Sequence, residues 1–332
     1  PETALKTAIL MSRHLRGLSN FVWMTATQAA KARARLARKE FLDSVKIEVS
    51  QTETEEIPSQ RKKNRRWHWE KASITAKKVL EAHNALPEAE RRSIAVVNTV
   101  ERAQKLYLSL LEEMKQPSPM LLHSRFLPED RKNREEAIRR IFKRGSSEDG
   151  ILVSTQVIEA GLDISARCLH TELAPVNALV QRAGRCARFE EEEGNVFVYD
   201  VLDEKGKRDY SPYGKAYEQD SHNEHPETFP RAMDLTAEIL QDLCIKVLCF
   251  KDELALVDKV HSALDIKAIE AFREHEWRIK AAEAMTPAPD HRNYSLASDL
   301  IRDADTVQII LAEEKSLEGS DAPLAPHFKP QT

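Results

Sequence analysis

The sequence is short of glycine, with nine in 332 residues, and it nowhere shows the spacing GxxxxGK[ST] with which a phosphate loop wraps a triphosphate in backbone N–H groups. The nearest candidate, Gly145 to Gly150, runs on into Ile151 and Leu152 and reads as a loop entering a strand. Cys168, Cys186, Cys244 and Cys249 form no CxxC pair, which excludes a zinc ribbon or a dithiol redox motif and fits free thiols in a reducing cytoplasm. His222 and His225, three apart ahead of Pro226, are the nearest approach to a metal pair, so no metal site is expected within the chain. No apolar run approaches the ~18 residues of a membrane span, and the N-terminus lacks the charged-then-apolar layout of a signal peptide, so a cytoplasmic protein with no membrane partner is expected. A net charge of −4 excludes a strongly basic nucleic-acid binder, and any such contact must come from a local basic groove. The chain starts at Pro1 rather than Met, as a fragment or a processed chain would.

What is present is enough apolar residue, 41%, to bury the cores of about two domains. From residue 93 onward strands and helices alternate. Ser93–Asn98, Met120–Ser124, Ile151–Thr155, Cys168–Leu173 and Asn195–Asp200 read as strands, and Val100–Met114 and Pro128–Lys143 as helices, the second with Pro at its first turn. That alternation predicts an α/β fold on a parallel sheet, whose ligands gather at the carboxyl ends of the strands. Thr99, His123, Ser124 and Thr155 are predicted at those ends, with Asp163 in the loop just beyond. Before this region, residues 51–66 read as a polar linker ending in the basic run RKKNRR, with Trp67 and Trp69 around His68 in a strand. After it, Ala232–Phe250 and Leu254–Trp277 read as helices, Asp252-Glu253 as a surface pair, and Ser295–Leu311 as a segment ending in a strand.

The organising stretch is Val153–Arg188. It carries TQVIEAGLDI and then HTELAPVNALVQRAGRCAR, so a strand, a turn with Gly161 and Asp163, and a short helix lead to Arg182, Arg185 and Arg188. Gln181, Arg182, Gly184, Arg185 and Arg188 resemble the last motif of superfamily 2 nucleic-acid helicases, and GLDI the motif before it. The fuller wording resembles one family in particular, the signature helicase–nuclease of type I CRISPR–Cas systems. MTAT at Met24–Thr27, VVNTVERAQ at Val96–Gln104, LLHSRF at Leu121–Phe126, ELALVDKVHSALD at Glu253–Asp265 and LIRDADTVQIIL at Leu300–Leu311 resemble the same family. The family's nuclease uses a His-Asp dipeptide, and none occurs here.

The resemblance implies a RecA-like second motor lobe at residues 71–215. It would follow the end of a first lobe (1–55) and a basic linker (56–70), and precede a helical extension (216–290) and the start of an accessory region (291–332). It implies a motor that hydrolyses ATP with Mg²⁺ between two lobes and moves along single-stranded DNA after recruitment by a crRNA-guided surveillance complex. The first RecA-like lobe, with the phosphate loop, would be supplied in cis or in trans. Arg188 would be the arginine finger, with Arg185 and Gln181 beside it. Gly161, Asp163 and Arg182 would approach the nucleotide. Thr99, His123, Ser124, Arg125 and Thr155 would face DNA, and Thr25, Ala26 and Thr27 would couple hydrolysis to movement. Arginine suits the finger role because it stays charged and forks onto phosphate oxygens. Arg185 and Arg188, three apart, are expected on one helical face. Where the family's motif has Gly, this chain has Ala187, which puts a left-handed backbone at that position in question. The alternatives carried from the same residues are a general superfamily 2 DNA or RNA helicase fragment and a non-catalytic nucleic-acid-binding lobe.

Overall fold

Seven strands in the order β3-β4-β2-β5-β6-β1-β7 form the sheet that positions every candidate residue described below. The computed structural model describes residues 64–114, 117–159, 161–189, 193–203, 205–213, 228–243 and 245–270. Expectations for Thr25, Ala26, Thr27, His222, His225 and the segments before residue 64 or after residue 270 lie outside the described residues.

In chain order the elements are β1 (Asn64–Glu70), α1 (Ala76–Asn84), β2 (Arg92–Val96), α2 (Val100–Glu113), β3 (Met120–Leu122), α3 (Pro128–Phe142), β4 (Gly150–Ser154), β5 (Cys168–Glu172), α4 (Val176–Ala183), β6 (Glu193–Tyr199), α5 (Thr228–Leu243), β7 (Ile245–Cys249) and α6 (Phe250–Glu270). The first six strands run parallel, and β7 pairs antiparallel with β1 at the edge. The expected α/β fold on a mostly parallel sheet is therefore present. Strand residues alternate between two cores because successive side chains point to opposite faces. Ile94 and Val96 of β2 pack with Trp67, Leu169, Ile138 and Phe142 under α3, α4, α5 and α6. Ala95 and Val97 pack with Val79, Leu106 and Leu110 under α1 and α2.

Three expectations are corrected by the fold. Asn64–Glu70 is not the end of a linker. It is an inner strand lying between β6 and β7, and its alternation places Arg65 and Trp67 inward and buried. A basic run reads as solvated only while its carboxylate partner, 188 residues later, is unseen. Likewise Ala232–Phe250 is not one helix. The segment Ile245-Lys246-Val247, with β-branched residues at either end, joins the edge of β1, so pairing with the sheet overrides a helical apolar pattern. The next helix starts at Phe250, where the Asp252 carboxylate accepts from the backbone N–H of Cys249 at 3.0 Å, and Glu253 is buried rather than part of a surface pair.

Candidate functional site

The segment from β4 to Arg188 doubles back along the sheet. After β4 a short 3-10 turn (Gln156–Ile158) leads to Gly161, whose φ of +83° suits a residue without Cβ. The chain then descends through Asp163 and Ser165 to the amino end of β5. Here Ser165 N–H donates to Phe142 O and Arg167 N–H to Arg92 O. Helix α4 makes the same descent from the carboxyl end of β5 and ends at Ala183, capped by Gly184.

Arg185 and Arg188 therefore do not share a helical face. They lie in a loop beyond α4, pinned to the descending segment by Ala166 N–H to Arg185 O and Ala187 N–H to Ala166 O, each at 3.0 Å. Ala187 adopts φ +48° and is buried, so the left-handed turn that favours glycine is kept with alanine in place. Gly194 makes the seat for this loop: a Cβ there would fall 2.5 Å from Cys186 Sγ and 3.2 Å from Ala187 Cβ.

The three arginines have different fates. Arg182 is fully buried, with Nε on Glu159 at 2.9 Å, Nη1 on Thr171 Oγ1 at 2.9 Å and on Glu172 O, and Nη2 on Tyr213 Oη at 2.7 Å. Burial opposes its charge, but Tyr213, Glu159 and Glu172 outweigh burial and its pKa ends above the ordinary arginine value. Four of its five N–H donors are engaged inside the fold, so the side chain expected to approach the nucleotide lies in the core of this lobe. Arg185 is mostly buried. It donates Nε to Ile158 O at 2.9 Å and Nη2 to Glu159 O at 2.8 Å. Burial, with Arg188 nearby, lowers its pKa from the arginine value. Arg188 alone keeps its side chain at the rim, 37% exposed and paired with the exposed Asp163 at 2.6 Å. Gln181 is exposed on the last turn of α4.

At the opposite, carboxyl end of the strands lie the other predicted residues. Thr99 caps α2, accepting from Arg102 N–H at 3.3 Å. His123 is buried, stacked on Phe126 with ring centroids 4.2 Å apart, and its Nδ1 accepts from Arg125 N–H at 3.2 Å. Burial and the charges of Arg125 and Arg134 hold its pKa below the usual histidine value. Thr155 is buried as well, while Ser124 and Arg125 are exposed. The structure thus splits the predicted set in two: Asp163, Arg185 and Arg188 toward the amino ends of the strands, and Thr99, Ser124 and Arg125 at the carboxyl ends. The expectation that Asp163 sits just past the carboxyl edge is corrected by the length of the descending segment.

Sequence reasoning missed a polar knot between these regions. Glu172, buried at the end of β5, accepts from Asn98 N–H at 2.5 Å and from Arg102, which also holds Asp209 at 2.7 Å. Burial raises the Glu172 pKa against the pull of Arg102. Glu172 lies within the HTEL segment, and its partners come from distant turns, so spacing gives no signal of the knot. Among the described residues no three His, Cys, Asp or Glu side chains converge as a metal site would need, and no helix is long and apolar enough to cross a membrane.

Residues 89–191 match the family described as CRISPR-associated nuclease/helicase Cas3, C-terminal. The CRISPR-associated helicase Cas3 of Thermoproteus tenax is 34% identical over 116 residues, covering 34% of this chain and 19% of that protein. A putative CRISPR-associated nuclease/helicase Cas3 of Methanocaldococcus jannaschii is 39% identical over 95 residues, covering 28% of this chain and 13% of that protein. The crystal structure of T. fusca Cas3 aligns at a TM-score of 0.49 and 22% identity, over 75% of this chain and 29% of that one. The chain spans less than a fifth of the length of the two sequence relatives.

Proposed function

We propose, from the match of residues 89–191 to the Cas3 C-terminal family and the likeness to Cas3 relatives, that this chain supplies the arginine-bearing lobe of an ATP-driven single-stranded DNA translocase in type I CRISPR antiviral defence. The observation that carries this reading is the sorting of the motif arginines: two are consumed by the fold, and Arg188 stays at the rim opposite an exposed carboxylate. An exposed ion pair such as Arg188–Asp163 is worth at most about 1 kcal/mol, so an incoming phosphate displaces Asp163 at little cost. ATP, when bound, supplies a phosphoryl group whose oxygens gain charge as it transfers. Arg188 faces that charge, Arg185 braces the loop and adds field behind it, and Gln181 and Gly161 border the nucleotide. The described residues bring no carboxylate cluster for Mg²⁺.

Single-stranded DNA crosses the carboxyl ends of the strands, held by Thr99 at the α2 N-terminus and by Ser124 and Arg125. His123 and Thr155, being buried, shape that edge rather than touch the strand. A crRNA-guided surveillance complex is the recruiting partner. The separation of the two faces lets nucleotide and DNA occupy the lobe together.

The sequence lacks a phosphate loop, so this polypeptide by itself carries half of a nucleotide site. ATP hydrolysis should be absent from the chain alone. It should appear, stimulated by single-stranded DNA, once a Cas3-type first motor lobe is joined ahead of it. DNA binding without any turnover in the joined protein would instead support a non-catalytic binding lobe.

A further inference from the structure

Arg65 is a buried cation that the arginine motif does not account for. It stands second in β1 on the inward face, its side chain 3% exposed. Its Nε donates to Cys186 O at 2.8 Å and its Nη1 to Glu253 Oε2 at 2.8 Å. Trp67, two residues along the same face, donates Nε1 to the other oxygen of Glu253 at 3.1 Å. Glu253 comes from the first turn of α6 and is wholly buried. Burial pushes its carboxyl pKa up, opposed by Arg65 and Trp67. One carboxylate from α6 thus orients a guanidinium whose remaining grip is on the carbonyl between Arg185 and Ala187.

An ion pair this deep returns little net stability, because both charges give up water, and an apolar pair of similar volume would join β1 to α6 as well. An apolar pair cannot hold a carbonyl. The loop needs holding at that point: Ala187 is turned into the left-handed region immediately after, and Arg188 leaves the loop one residue later. Gly194 packs against Cys186 from below, and Arg188 N–H is held by Ser165 Oγ at 2.9 Å.

We infer that Arg65 and Glu253 are positioning residues, which through the Cys186 carbonyl fix residues 185–188 from α6 and so set the aim of Arg188. This rests on the reading of Arg188 as the phosphate-facing arginine, and it links the helical extension to the nucleotide face. The test is the paired variant Arg65→Met with Glu253→Gln, which removes both charges and leaves an amide oxygen for Trp67.

Amide hydrogen exchange of the full chain reads the loop directly, because the N–H groups of residues 185–188 are all hydrogen-bonded. The expected result is exchange about tenfold faster or more across residues 185–188, with α4 and β5 unchanged, the signature of a local opening. In the ATP-hydrolysing protein that holds this lobe, kcat should fall about 10- to 100-fold with KM for ATP unchanged. Loop exchange that stays at the wild-type rate, or that rises equally throughout α4 and β5, overturns the inference. Should the paired variant fail to fold, Glu253→Gln alone, which leaves Arg65 in place without its counter-charge, must give the same loop-specific rise. The two readings part cleanly. If Arg188→Ala abolishes turnover while the paired variant keeps both loop and rate, the positioning fails alone. If the loop loosens but Arg188→Ala turns over normally, the loop anchor stands and the reading of Arg188 falls.

Discussion

Arg182 and Arg188 belong to one motif, yet their surroundings assign them opposite tasks. A guanidinium with no exposure and bonds to Glu159, Thr171, Glu172 O and Tyr213 is part of the core. Removing it strands buried acceptors, so Arg182→Met should lower unfolding free energy by about 3–5 kcal/mol in urea titrations. Arg188→Ala should leave the same titration within about 0.5 kcal/mol of wild type, as expected for a rim residue. Ala187 offers a second residue-scale test. Relief of its left-handed strain by Ala187→Gly, about 1–2 kcal/mol, is opposed by unfolded-chain entropy and a lost buried methyl of about 0.8 kcal/mol. The two nearly cancel, so stability should move by less than about 1 kcal/mol, whereas the β-branched Ala187→Val should be clearly destabilising at this positive φ. The motif residues themselves were legible in the sequence. Their division into buried and exposed was not, because burial depends on Glu159, Tyr213 and other partners that no spacing rule brings near.

At the scale of elements, the parallel strands were readable because short β-branched runs alternate with amphipathic helices. β1 and β7 were not. One looked like a basic linker and the other like helix, since a buried charge on β1 and a strand at the end of a helical pattern make sense only once they pair. Across β5, β6 and β1 lies a row that sequence patterning also conceals: His170, Phe197 and His68 are cross-strand neighbours, stacked at centroid distances of 4.9 and 4.4 Å. His170 is fully buried, with Nδ1 against Tyr199 Oη at 2.9 Å, and burial drives its pKa down to about 3, with His83 and His68 adding to the shift. The unfolded chain takes up this proton near the ordinary histidine pKa of about 6.5 while the folded chain refuses it. Stability is therefore complete above that value and lost as pH falls from it toward the folded pKa. Between pH 6.5 and 5 the loss from His170 should be about 2 kcal/mol. His83 and His68, also lowered mainly by burial, act in the same direction. Denaturation midpoints of His170→Asn between pH 7.5 and 5 should show a shallower slope than wild type. An equal slope would mean that His170 does not stay neutral in the fold.

For the whole molecule, the sheet works as a partition. Its carboxyl edge presents Thr99, Ser124 and Arg125, its amino side presents Asp163, Arg185 and Arg188, and α4 with the descending β4–β5 segment joins the two. The sequence named both groups of residues as candidates but set Asp163 near the wrong edge, since a loop's direction across a sheet is decided by what it packs on. The buried contact from α6 to the arginine loop ties the following helical region to the same face, so the lobe and its extension should respond together when either is altered. The measurement that tests this account most directly is the DNA-stimulated ATP turnover of the protein joining a first motor lobe to this chain, compared between wild type and Arg188→Ala. The account predicts a fall in kcat of about 10³-fold or more, little change in KM, and an unchanged unfolding curve. Turnover within a few-fold of wild type would contradict it, because no other arginine of the motif stands at the rim to take its place.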